Sequence, residues 1–219
     1  PIDGVCTSWP TGAHALKIAD TTANLFNSES FATALTQGAQ TLCPSLELNG
    51  TQLETALRQT TWPNQSITVE RPLYGRLRLM NTAYCPIGKN AVNCRTCVKS
   101  EQLDDARLYD LVDRKQQAFK VVPHPRICQA DLLNSDLLSV PEEYLQVRSA
   151  LPATASWRAR LIFTDETPVE QRELVQAARH LFTDANPMQA AEQLTRITKR
   201  IATRLDTRLT NGHFQRGVI

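Results

Sequence analysis

Six cysteines stand at positions 6, 43, 85, 94, 97 and 128, and four of them crowd into one stretch. Cys85, Cys94, Cys97 and Cys128 are separated by 8, 2 and 30 residues. Thiolates suit soft metals, and a C-x2-C pair lets two sulfurs meet one metal centre from a single tight turn. Residues 84–99 (YCPIGKNAVNCRTCVK) add Lys89, Arg95 and Lys99 and no acid. Positive charge and turn amides there favour the anionic thiolate. Zinc and an iron–sulfur cluster both fit four thiolates, and residue chemistry leaves the two open. The clustering points to a ligand set rather than scattered disulfides, and so to a reducing, cytoplasmic setting.

Hydrolytic chemistry is poorly provided for. A peptidase needs a nucleophile with an oriented base or a hydrolytic metal with an open position. The chain has no HExxH and no G-x-S-x-G, and His14, His124, His180 and His213 are scattered. Cys6 and Cys43 are the remaining thiols; the small and apolar neighbours of Cys43 (TLCPSL) read as a barrel-strand thiol. Between Cys97 and Cys128 lie Asp113, Arg114, His124 and Arg126, candidates for substrate or metal-adjacent roles because that span returns to the ligand set.

These groups must be positioned by a chain of 219 residues, 42% hydrophobic and 21% charged, with 24 basic and 22 acidic residues and a formal charge of +2. That composition excludes collagenous and wholly disordered classes, and the near-neutral balance neither demands nor excludes nucleic acid. No apolar run approaches the roughly 18–20 residues of a membrane-spanning helix, so no membrane role is expected. The chain begins at Pro1 without a signal segment, and the expectation is that further protein precedes it.

Residues 18–26 read as a strand, Ser28 as the N-cap of a helix over 29–37, and 40–48 as a short strand and turn. Asn49 caps a helix over 51–59, and 67–74 with 76–80 reads as extended chain. A polar, cysteine-bearing stretch runs from Asn81 to about Asp105. Residues 108–112 and 118–122 flank a polar turn and predict a hairpin. Pro141 sits where an N1 proline opens a helix through Arg148. Residues 157–163 (WRARLIF) alternate as a strand, Thr164 or Asp165 caps a helix over 168–182, and a last helix spans about 187–208. Strand–helix alternation argues for parallel βαβ units. About four units are too few to close a (β/α)8 barrel, which needs eight strands and about 250 residues. The α/β fold expected is therefore the later half of a TIM-like barrel carrying a cysteine-bearing metal-binding insertion. The alternative is an independent open sheet. Residues 1–182 would form the half-barrel, with the metal site and hairpin at 81–135, and residues 183–219 an amphipathic helix and basic tail. The remaining half is then the first partner expected, from the same protein or a second chain.

Several segments carry a resemblance to a known family: DTTANLFNSESF (20–31), TLCPSLELNGTQL (41–53), YGRLRLMNTAYCPIG (74–88) and CRTC (94–97). They continue as LVDRKQQAFKVV (111–122), ICQADLLNS (127–135), RLIFTDETP (160–168) and TNGHFQRGV (210–218). In this order, over nearly the whole chain, they resemble the C-terminal segment of the long members of the peptidase U32 family, the collagenase-like proteins. The resemblance implies a TIM-like barrel and an iron–sulfur cluster, of the 4Fe-4S kind, held by Cys85, Cys94, Cys97 and Cys128; zinc is the alternative, or the replacement after aerobic purification. It further implies oxygen-independent hydroxylation of a base in RNA, the 23S rRNA cytidine type being most similar. The family name implies a collagenase-like peptidase instead, and a zinc-stabilised RNA-binding module without catalysis is a third reading. The ligand spacing of 8, 2 and 30 departs from that of the family's quinone-pathway members.

An RNA partner has a local signal as well. Arg196, Arg200, Arg204 and Arg208 follow one another at i, i+4 steps beside an apolar stripe of Leu194, Ile197, Ile201 and Leu205. Such a row can track phosphates or serve as the solvated face of an amphipathic helix. The tail adds His213, Phe214 and Arg216, types that stack on bases and bind phosphate.

Overall fold

The computed structural model describes residues 5–7, 17–83, 108–124 and 129–215. Alternating burial dictates its centre. In β4 (Ile67–Gly75) Ile67 and Val69 are fully buried while Thr68 and Glu70 point to the other face. Beside β4 lie, in parallel, β3 (Thr41–Leu42), β2 (Lys17–Ala19) and β1 (Val5–Thr7) on one side, and β10 (Ala155–Ile162) on the other. The expected strands near residues 20, 41, 70 and 160 are thus neighbours in chain order, in a parallel α/β sheet.

Helices α1 (Ser28–Thr36), α2 (Gly50–Gln59) and α3 (Pro141–Arg148) cover one face. Phe31, Leu53, Leu57 and Val147 pack there on Ala19, Leu42, Ile67 and Val69. A second core joins Leu73 and Tyr74 to α4 (Pro168–Thr183) and α5 (Pro187–Arg204) through Leu174, Leu181, Leu194 and Ile201, and Trp157 touches both cores. The last helix is therefore part of the packed body of the fold.

Local signals set the helix starts. Asn27 and Ser30, Asn49 and Gln52, and Thr167 and Glu170 form reciprocal capping boxes, each closing two orphan amides. The caps of α1 and α4 are thus Asn27 and Thr167, not Ser28, Thr164 or Asp165, because only a residue three before a Ser, Gln or Glu can close the box. The strand expected over 18–26 stops at Ala19 and gives way to a 3-10 turn, Thr21–Ala23, with Asn24 left-handed at φ 51°. The last helix ends at Arg204, so Arg208 lies beyond it; Asp206 turns at φ 48° and the chain enters β11 (Leu209–Thr210).

Between β4 and α3 the chain makes a second, antiparallel sheet. Its order is β5 (Arg78–Thr82), β8 (Gln129–Leu133), β7 (Ala118–His124) and β6 (Tyr109–Val112), and it contains the expected hairpin. Strand β9 (Leu137–Ser139) then returns antiparallel to the end of β4 and takes β11 as its parallel neighbour. Gly75, at φ 126°, ends β4, where a Cβ would lie 2.1 Å from the Ile162 carbonyl oxygen.

Candidate functional site

The sheet register assembles a row of side chains from four strands. Ala19, Leu42 and Val69 are in register and face the helices, so Asp20, Cys43 and Glu70, one residue on, share the opposite face, and Arg158 is Glu70's partner in β10. Arg160, two residues further along β10, reaches back across the row. Its Nε donates to Glu70 Oε1 at 2.7 Å and its Nη2 to Asp20 Oδ1 at 2.9 Å, with the Cys43 sulfur 3.6 Å away. Arg158 Nη1 donates to the other Glu70 oxygen at 3.4 Å. Burial works to lower the pKa of Arg160, but the carboxylates of Glu70 and Asp20 outweigh it and hold the guanidinium above its ordinary value. One pleat back, the hydroxyls of Thr68 and Ser156 meet at 3.1 Å. The row lies at the carboxyl ends of β2 and β3, the side of an α/β sheet on which binding sites form.

Of this row the sequence singled out only Cys43, as a strand thiol, and the structure buries it to 1% exposure at the end of β3. The available signal was period-2 alternation: I-T-V-E in β4 and W-R-A-R in β10 put Glu70, Arg158 and Arg160 on the face opposite the apolar residues. Alternation assigns faces but cannot align strands.

A second polar group sits on the antiparallel sheet. Asp131 on β8 accepts from Asn81 Nδ2 at 2.9 Å and stands 3.0 Å from His124 Nε2 and 3.7 Å from Arg78. Burial raises its pKa, but these bonds and charges prevail and keep the carboxyl below its ordinary range. Asp113 and Arg114 are not in this group. They occupy the hairpin turn at the other end of β7, where Asp113 Oδ1 accepts the amides of Lys115 and Gln117 at 2.8 and 2.9 Å and Arg114 is exposed. The seven residues of β7 hold the two ends about 20 Å apart. His124 is thus separated from the pair expected beside it.

Cys85, Cys94, Cys97, Cys128, Arg126 and Arg216 lie outside the described residues. The strands that lead to them are described. Thr82 pairs with Ala130 and His124 with Gln129, so the chain leaves β5 toward Cys85, leaves β7, and enters β8 from Cys128 along one end of a single sheet. That sheet is tied to the parallel one. Arg76, 2% exposed, donates to the carbonyls of Asn134, at 3.2 Å, and Ser135, and to Asp165 at 3.5 Å, while Lys120 on β7 stands 3.6 Å from Asp165.

The arginine row has acidic partners. Arg196 faces Glu192 at 3.7 Å, Arg200 pairs with Glu173, Arg204 grips Glu170 at 2.6 and 2.7 Å, and Arg208 meets Asp136 at 3.3 Å. Three of those four partners belong to other elements, which makes this part of the row an interelement clasp. His213 is exposed, whereas Phe214 is 7% exposed. Its ring lies against Gly50 and 5.3 Å from the Arg71 guanidinium, and its carbonyl accepts the Gly50 amide at 2.7 Å. Burial lowers the pKa of Arg71 to about 10. Phe214 is thus a packing residue that closes the start of α2, because the turn at 212–215 folds it inward.

Compared with known proteins, the chain matches no family model, no curated protein and no solved structure. Among the described residues, no helix is long and apolar enough to cross a membrane.

Proposed function

We propose that the chain is the later half of a TIM-like barrel enzyme of the peptidase U32 kind, with an iron–sulfur cluster at Cys85, Cys94, Cys97 and Cys128, acting in the cytoplasm to hydroxylate a base in RNA, the 23S rRNA cytidine above all. The observation that carries this reading is the strand register at one end of the antiparallel sheet. It brings together the chain ends that run to Cys85 and come from Cys128, residues 43 positions apart in the sequence. Three cysteines with three cations and no acid between residues 84 and 99, joined by Cys128, form a donor set suited to such a cluster. When bound, the cluster supplies the redox chemistry that side chains lack.

The chain's own residues supply the frame. Parallel strands in chain order, helices on one face and a polar opposite face are what half of a barrel presents. Strand β10 pairs with β4 alone among the described residues, which leaves an edge for the remaining half. The Asp20, Glu70 and Arg160 network gives the open face a fixed polar floor. Cys43, buried beneath a carboxylate and a guanidinium, is not presented to a scissile carbonyl, which weighs against a peptidase nucleophile.

The test is anaerobic purification of the full-length protein with absorption, iron and sulfide assays, paired with the mass of rRNA from cells lacking it. The expected result is iron and sulfide in the wild type, their loss in Cys97→Ala, and a missing hydroxyl (about 16 Da) that only the wild type restores. Zinc without sulfide would replace this reading with the structural RNA-binding module. Unchanged RNA together with cleavage of gelatin by the pure protein would replace it with the peptidase.

A further inference from the structure

We propose that Arg158 is a phosphate-binding residue on the open face of the parallel sheet, held ready by Glu70 and backed by the Thr68 and Ser156 hydroxyls. The argument rests on how the charges of the row are shared. Two guanidiniums face two carboxylates, but not evenly. Arg160 takes both acids, bonding Glu70 Oε1 at 2.7 Å and Asp20 Oδ1 at 2.9 Å. Arg158 is left with Glu70 Oε2 through one long contact of 3.4 Å from Nη1. Among the described residues its Nε and Nη2 have no hydrogen-bond acceptor, and its side chain is 52% exposed.

An arginine offers five donors in a planar fork, and a fork with one edge unspent matches two oxygens of a phosphate. Glu70 contributes direction: its contact with Nη1 draws the guanidinium onto this face, so less rotamer freedom is lost when a ligand arrives. Arg160, itself anchored by Asp20, holds Glu70 in turn and offsets its charge toward an approaching anion. The hydroxyls of Ser156 and Thr68, two residues back on the same face and 3.1 Å apart, extend the polar ground on which a nucleotide can rest. The row on α5 differs in this respect, because Arg200 and Arg204 are already engaged by Glu173 and Glu170.

That the phosphate belongs to RNA rests on the function proposed above; the site itself takes a free nucleotide or a phosphodiester alike. The experiment titrates the full-length protein with cytidine 5′-monophosphate and with a ten-nucleotide single-stranded RNA over a range of salt. Arg158→Gln is expected to weaken both about ten-fold, the scale of one charge-assisted pair. It should also reduce the salt slope for the RNA by about 0.7, as one lost contact to a single strand does. Arg158→Lys, which keeps the charge without the fork, should fall between, and Arg58→Gln, on α2 and paired with Glu54, should bind like wild type. Nucleotide binding that depends on Arg158 without any RNA binding would keep this site and remove the RNA reading. RNA binding that is unchanged in Arg158→Gln would overturn this site and leave the RNA reading standing. Wild-type protein that binds neither probe would overturn the site, with the rRNA mass deciding the RNA reading on its own.

Discussion

Arg204 separates a structural from an RNA-binding arginine row, and its effect can be worked from its contacts. Arg204→Gln removes two charge-assisted bonds, of 2.6 and 2.7 Å, to Glu170, whose side chain is 10% exposed. Glu170 keeps its capping bonds from the Thr167 amide and hydroxyl at 2.7 and 3.0 Å, so it is not orphaned. Hydrogen bonds to charged groups contribute about 1.5–3 kcal/mol. The Arg204 side chain is 42% exposed, so solvent screening trims the total to about 1.5–2.5 kcal/mol. For a chain of this size that is about 3–10 °C in Tm. The pH dependence has a definite sign. Burial raises the pKa of Glu170, but its bonds to Arg204 and Thr167 prevail and hold it below the ordinary value. A depressed carboxyl contributes stability that is present above its unfolded pKa of about 4.3 and lost as pH falls through the folded value. The gap between wild type and variant, measured by urea unfolding, should therefore be full at pH 7 and shrink below about pH 4. A variant with wild-type stability and weakened RNA binding would refute the clasp and restore the row as an RNA surface.

Two further substitutions probe the packing around the site. Gly50→Ala places a Cβ 2.6 Å from Phe214 Cε1 and should cost about 1–3 kcal/mol in urea unfolding, with Phe214→Leu relieving part of that cost in the double variant; equal costs in both backgrounds would show that the ring does not press on α2. Tyr74→Phe removes a 2.7 Å bond to the buried Glu166 carboxylate and should cost about 1.5–3 kcal/mol, and a thermal unfolding curve identical to wild type would show that the bond carries no net stability.

Much of the local structure was legible in residue order. The capping box at Asn49 is a signal four residues long, Pro141 opens α3 where an N1 proline belongs, and period-2 alternation marks β4 and β10. Each of these depends on neighbours within one turn or one pleat. Two short strands escaped, because the three residues of β9 and the two of β11 show no period and are strands only by virtue of what they pair with. The last helix was read four residues too long because Asp206 reverses the chain after Arg204, and a left-handed aspartate carries no signature distinct from a helical one.

The site itself was a tertiary decision. Asp20 and Arg160 stand 140 positions apart and meet at 2.9 Å only because β2, β3, β4 and β10 align in one parallel register. The i, i+4 spacing of Arg196, Arg200 and Arg204 fixes a common helix face. Whether that face meets phosphate or carboxylate depends on α4, whose Glu170 and Glu173 lie across the interface. Phe214 shows the same division, a ring free to stack by its residue type and buried in fact by the turn that lays it on Gly50. Sequence determines which groups a strand or helix can present. The partner of each group is set by packing between elements distant in the chain, where burial and charge pairing are satisfied together.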